Sequence, residues 1–148
     1  MVSVKRIKTS ATYFLRKEIL RRGIDLPYQF EEDNFETTFH LGVFKNKELL
    51  CVATFIMNST ETLVGKQYQL RGMATSLTSR GKGFGKLLLT YATKELENRK
   101  IEYLWCNART EAINFYEKNQ FQIMGEQFLV EKVGSHYKMF KTIKNENQ

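Results

Sequence analysis

The seven residues Arg80-Gly81-Lys82-Gly83-Phe84-Gly85-Lys86 constrain this chain more than any other stretch. Glycine stands at every second position from 81 to 85, and the apolar run Leu87, Leu88, Leu89 follows at once. A backbone freed of side chains and running into a helix turns several unpaired N–H groups outward. The helix dipole adds partial positive charge at the same end. Arg80, Lys82 and Lys86 surround the glycines with further positive charge. Such a turn binds phosphate or pyrophosphate; the alternative is a basic surface turn.

Two nucleotide fingerprints fail here. A P-loop places Ser or Thr directly after its Gly-Lys pair to reach Mg²⁺, whereas Leu87 follows Gly85-Lys86. In G-x-G-x-x-G the third glycine is needed one residue later than Gly85.

The chain's 148 residues, 42% of them hydrophobic, suit a single domain spanning 1–148 with a real core. Its formal net charge of +7 points to an anionic partner: nucleic acid, an acidic membrane or a phosphorylated cofactor. Lysines and arginines are scattered, however, with no block of like charges. The aromatics fall mostly on apolar faces rather than between basic residues on an exposed strand, so no nucleic-acid partner is expected. Cys51 and Cys106 lie in apolar runs without a C-x-x-C partner, which indicates neither a metal site nor a disulfide framework. Buried free thiols fit a reducing cytosol. No signal peptide is read at residues 1–10, and no apolar run reaches the roughly 18 residues of a membrane span. A cytoplasmic protein with no membrane partner is the expectation.

In chain order, residues 2–7 alternate as a half-buried strand. Thr9 or Ser10 caps a helix to about residue 22, with Phe14, Leu15, Ile19 and Leu20 on one side and Gly23 as its stop. A loop over 25–36 carries Glu31, Glu32, Asp33 and Glu36, either solvated or greeting a cationic substrate. Residues 37–44 form a strand, and 49–56 an almost unbroken apolar one, covered on both faces. Residues 67–75 form the next strand, where Gly72 marks a bulge or a close approach. A helix over 84–98, a strand over 101–106 and a helix capped by Thr110 follow. Two strands, 121–132 and 136–143, meet at Gly134-Ser135, and the tail from Lys144 frays. This order predicts an α/β (α+β) fold: a mixed, mostly antiparallel central sheet flanked by helices.

Arg80, Gly83 and Gly85 fit R-x-x-G-x-G. After a strand and opening a helix, that pattern resembles the acetyl-CoA loop of the GCN5-related N-acetyltransferases. Leu70-Arg71-Gly72-Met73-Ala74-Thr75 resembles that family's fourth strand. Residues 112–121, from Ala112 through Phe115, Tyr116 and Lys118 to Phe121, resemble its A-x-x-F-Y-x-K-x-G-F signature. The likeness spans Phe39 to Lys141; the first third of the chain matches in layout only.

This resemblance implies an acyl-CoA N-acyltransferase fold with splayed central strands. It implies acetyl transfer from acetyl-CoA to a primary amine by direct attack in a ternary complex, without a metal. Arg80, Gly81, Lys82, Gly83, Phe84, Gly85 and Lys86 would hold the pyrophosphate. Met73, Ala74 and Thr75 would pair with the pantetheine arm and polarise the acetyl carbonyl, and Asn107 would contact the arm. Tyr116 would be the general acid toward the leaving thiolate. His136 is the first candidate for general base, ahead of His40 and of Glu31, Glu32 or Glu36 acting through water. Gln120 stands where the family usually has glycine, and Asn119 is expected to supply the left-handed turn in its place. A homodimer is a further expectation, and the sequence leaves the oligomeric state open. The competing reading is a catalytically idle domain that binds acyl-CoA as a sensor.

Overall fold

The computed structural model describes residues 1–143, so the tail from Lys144 lies outside them. Eight strands form one sheet: β1 (Val2–Ile7), β2 (Phe39–Lys45), β3 (Glu48–Ile56), β4 (Gln67–Thr75), β5 (Tyr103–Arg109), β6 (Gln122–Ile123), β7 (Phe128–Val130) and β8 (Gly134–Thr142). Their spatial order is β1-β2-β3-β4-β5-β8-β6, with β7 also paired to β8. Every pairing is antiparallel except β4 with β5.

Helices cover both faces. The helix α2 (Phe84–Asn98) buries Phe84, Leu88, Leu89, Ala92 and Leu96. They pack on Phe39, Leu41 and Val43 of β2 and on Cys51, Ala53 and Phe55 of β3. Each leucine, valine or phenylalanine among them contributes about 1.5–3 kcal/mol when fully buried. The short helix α3 (Ile113–Lys118) brings Tyr116 into the same cluster. On the opposite face lies α1, a 3₁₀ turn (Thr9–Thr12), one α turn (Tyr13–Leu15) and a π turn (Arg16–Leu20). Its Leu15, Ile19 and Leu20 meet Val52 and Ala74. With apolar side chains on both faces, β3 is the doubly covered strand its sequence predicts.

Two irregularities position the site. In β4, Ala74 pairs with Val52 but Arg71 pairs with Thr54, so Ala53 alone faces both Gly72 and Met73. That extra residue is a bulge. It shifts the side-chain phase, so Met73 packs toward the α2 core and Ala74 toward α1. The second irregularity is between β4 and β5, which pair only from Gln67–Tyr103 to Leu70–Cys106. Beyond that point β4 stays with β3 to Thr75, and β5 stays with β8 to Arg109. A wedge opens between Arg71–Thr75 and Asn107–Arg109.

Several sequence expectations need correction. Phe14 is 71% exposed rather than on the apolar side of α1, whose inward stripe runs through Thr12, Leu15, Arg16 and Ile19. Neither Thr9 nor Ser10 caps α1 through its side chain. Thr110 does not cap a helix either; its hydroxyl donates to the Ser135 carbonyl. The strand expected over 121–132 is split into β6 and β7 around Gly125, whose φ is +87°. Gln120 takes the left-handed conformation itself (φ +70°), while Asn119 has φ −107° and donates from Nδ2 to the Phe115 carbonyl.

Candidate active site

The glycine turn is built as an open cradle. Gly81 and Gly83 have φ of +77° and +81°, a conformation that L side chains rarely adopt, and a Cβ on either would meet nothing within 4 Å. Gly83 precedes α2 as its N-cap and offers no side chain to its first turn, which carries no acidic residue. Among the described residues, no loop carbonyl or side chain accepts the N–H groups of residues 82–86. Arg80, Lys82 and Lys86 are exposed around them. Amides without acceptors, a helix dipole and exposed cations are the features by which a helix start attracts an anion.

Gly85 has a different reason to be glycine. A Cβ there would sit 2.8 Å from Phe115 Cζ and 3.2 Å from Met73 Cε. The first turn of α2 therefore packs directly on α3 and on the lip of the wedge. Phe115 meets Tyr116 edge-on at 5.2 Å, and Tyr116 meets Phe121 likewise. The Tyr116 hydroxyl reaches back to Met73 Sδ at 3.9 Å. Burial holds this phenol well above its ordinary range, with Cys106 and Cys51 acting in the same direction and Arg109 against it. Cys106 and Cys51 are themselves buried and inert; burial pushes the Cys51 thiol up to about 11 despite the Thr75 hydroxyl donating to it.

The two histidines diverge. His136 stands opposite Arg109 across the β5–β8 ladder and stacks on Phe128 at 5.7 Å. Its Nδ1 lies 2.8 Å from the Gly134 carbonyl, which only accepts, so Nδ1 carries the proton. His40 has both nitrogens engaged: Nδ1 with Thr54 Oγ1 at 2.7 Å, Nε2 with the Asp33 carbonyl and Thr9 Oγ1 at 3.0 Å each. Burial pulls its pKa down, outweighing the Asp33 bond. It is a structural histidine.

Two of the four acidic residues of the loop, Glu32 and Asp33, are structural. Arg16, fully buried, donates from Nη1 and Nη2 to the two Asp33 carboxylate oxygens, each at 2.8 Å. The same guanidinium donates to the Tyr28 carbonyl and to Thr54 Oγ1. Glu32 pairs with Arg71 at 3.3 Å. Phe30 lies between the Arg16 and Arg71 guanidiniums, 3.9 and 4.1 Å from its ring centre. Gly72 (φ +62°) makes room for this stack, since a Cβ there would be 2.9 Å from Phe30 and 3.1 Å from Arg16 Nε. Glu32 and Asp33 are thus neutralised by the chain's own arginines, which removes them as a lure for a cationic substrate.

Residues 7–121 match the Acetyltransferase (GNAT) family. The chain belongs to that family. It is 35% identical over 146 residues to the uncharacterized N-acetyltransferase YitI of Bacillus subtilis (strain 168), covering 97% of this chain and 98% of that one. Among solved structures, Escherichia coli ElaA superposes with a TM-score of 0.78 at 17% identity, over 95% of this chain and 99% of ElaA. FeeM, an N-acyl amino acid synthase from uncultured soil microbes, superposes with a TM-score of 0.82 at 12% identity, over 97% and 91%. At these identities the structural likeness carries the fold alone. This acetyltransferase is an enzyme of the N-acetyltransferase class, in a family whose donor is an acyl-CoA.

In this acetyltransferase the glycine turn, Met73 and Tyr116 are joined by contact, while Ala74 and Thr75 continue the same lip. Asn107 stands exposed on the far side of the wedge, and His136 is beyond it on β8. Sequence reasoning missed Arg16, Arg21, Arg71 and Arg109. A signal for Arg16 existed: a single arginine within the apolar stripe of α1, ahead of an acidic loop, is a buried pair in waiting.

Proposed function

We propose that the chain transfers the acetyl group of acetyl-CoA to a primary amine by direct attack, with both substrates bound together. The observation that carries this reading is the row of N–H groups over residues 82–86, without acceptors, at the wedge between β4 and β5. Its two left-handed glycines leave room for a pyrophosphate, and no carboxylate in the first turn of α2 opposes one. Arg80, Lys82 and Lys86 add attraction at longer range. The edge of Met73, Ala74 and Thr75 that faces the wedge has no strand partner there and would receive the pantetheine arm, with Asn107 across from it.

When bound, acetyl-CoA supplies an acetyl carbon that gains a C–N bond as its C–S bond breaks. Tyr116, kept protonated by burial, donates its hydroxyl proton to the departing sulfur. His136 Nε2 takes the proton that the amine must lose. An N–H of the bulged strand would polarise the acetyl oxygen, where losing one donor costs about 3–4 kcal/mol. Holding the amine in line supplies much of the remaining acceleration.

The test is thiol release from acetyl-CoA across a panel of amines, alongside calorimetry with CoA. Turnover on any amine supports the reading. Binding without turnover would make the domain an acyl-CoA sensor, and the absence of CoA binding at millimolar concentration would overturn the site itself.

A further inference from the structure

Four arginines gather on the α1 face of the wedge. Arg16 and Arg71 have carboxylate partners in Asp33 and Glu32. Arg21 and Arg109 have none: among the described residues no carboxylate lies within 4 Å of either. One follows α1 and the other ends β5, and they converge on one atom. Arg109 Nη2 donates to the Leu20 carbonyl at 3.0 Å, and Arg21 Nη1 donates to the same oxygen at 3.3 Å. Arg21 Nε is anchored on the Pro27 carbonyl at 2.9 Å. Both side chains are half-buried. Burial lowers the pKa of Arg21, and repulsion from Arg109, Arg71 and Arg16 follows as further causes. Like charges brought this close in a partly desolvated place raise the free energy of the empty site, and an anion between them relieves it.

The place is the acceptor side of the wedge. Arg109 ends β5 directly beyond Asn107 and shares its face with His136 through their register pairing. Its charge is felt at Tyr116. Arg71 and Gly72 form the opposite lip at the bulge.

We propose that the amine acceptor carries a carboxylate, as in the amino-acid class, held by Arg21 and Arg109; this rests on the acetyltransferase reading above. A guanidinium binds a carboxylate through two parallel N–H bonds, so the pair fixes both position and orientation of the acceptor. The same cations lower the pKa of a nearby ammonium, and the neutral amine is the form that attacks. A polyamine, with no anion to hold, is repelled. The sign is opposite to the one the acidic loop implies in sequence.

The experiment compares amino acids and dipeptides with their C-terminal amides and with polyamines, read as thiol release, on the wild-type enzyme. At least a tenfold higher kcat/KM for an acid over its amide is the expected result. That preference should vanish in Arg109→Gln and Arg21→Gln and return in part in Arg109→Lys, with CoA affinity unchanged in all three. A merely structural role at the Leu20 carbonyl would lower stability without moving the acid-to-amide ratio. Equal use of acid and amide, preference for polyamines, or no turnover on any acid despite CoA binding would each overturn the inference and leave CoA recognition standing. Failure to bind CoA would instead remove the reading beneath it.

Discussion

The Tyr116 hydroxyl lies 3.9 Å from the Met73 sulfur, so the side chain of α3 with the most displaced pKa touches the bulge of β4. Met73 in turn lies against Gly85, in the first turn of α2. One methionine therefore joins the glycine turn to Tyr116, the proposed acid. Disturbing either end should be felt in chemistry.

Tyr116→Phe should lower kcat about a hundredfold or more while CoA affinity changes by less than about twofold. Because burial, with Cys106 and Cys51, raises the phenol's pKa, the proton stays on at alkaline pH. The wild-type rate should show no loss assignable to Tyr116 up to about pH 10. Unchanged turnover in the variant would remove the general acid.

Gly83→Asp should raise the CoA dissociation constant at least tenfold by calorimetry. It puts a negative charge at the N-cap of α2 and forces a side chain into φ +81°. Gly83→Ala, with the strain but without the charge, should have a smaller effect. Normal affinity in the aspartate variant would mean that phosphate sits elsewhere.

Gly85→Ala tests packing. The new methyl would approach Phe115 to 2.8 Å, and Phe115 leans on Tyr116. A cost of about 1–3 kcal/mol in urea unfolding is expected, together with a fall in kcat. Wild-type stability would show that Phe115 moves aside freely.

Arg16→Met should cost about 3–5 kcal/mol, because it strands the Asp33 carboxylate in the interior. Adding Asp33→Asn should recover part of the loss. A single variant as stable as wild type would mean the pair does not hold α1 to the loop.

Acid should destabilise the fold in two stages. His40 has a lowered pKa through burial, so the unfolded chain binds its proton first, and stability falls as pH drops below about 6.5. Burial alone would raise the pKa of Asp33, but the Arg16 bonds, the Phe30 N–H and nearby charge outweigh it. Its contribution is present above about pH 3.9 and lost as pH falls through the lower folded value. Urea midpoints against pH should show both steps, and His40→Gln should flatten the first. A slope unchanged in that variant would acquit His40.

Much of the fold was legible because its signals are local. Alternation in residues 39–43, the apolar run of β3, the glycine turn and the limits of α2 follow from side-chain period and backbone freedom. The bulge at Gly72 was legible for the same reason. The end of the chain was harder: Gly125 breaks a strand that its residues, read alone, would continue. Phe14 was misplaced because the inward stripe of α1 runs instead through Arg16, a charged residue buried by its pairing with Asp33 in the loop beyond.

Sequence alone therefore determined the glycine turn, the family motifs and the alternation that builds the sheet, all of which depend on neighbours a few positions apart. Tertiary structure decided which charges are paired. Arg16 meets Asp33, Arg71 meets Glu32, and Arg109 reaches the carbonyl of Leu20, 89 residues away. Charge in a folded protein is read only after pairing, and pairing across such separations is set by which strands and helices lie side by side.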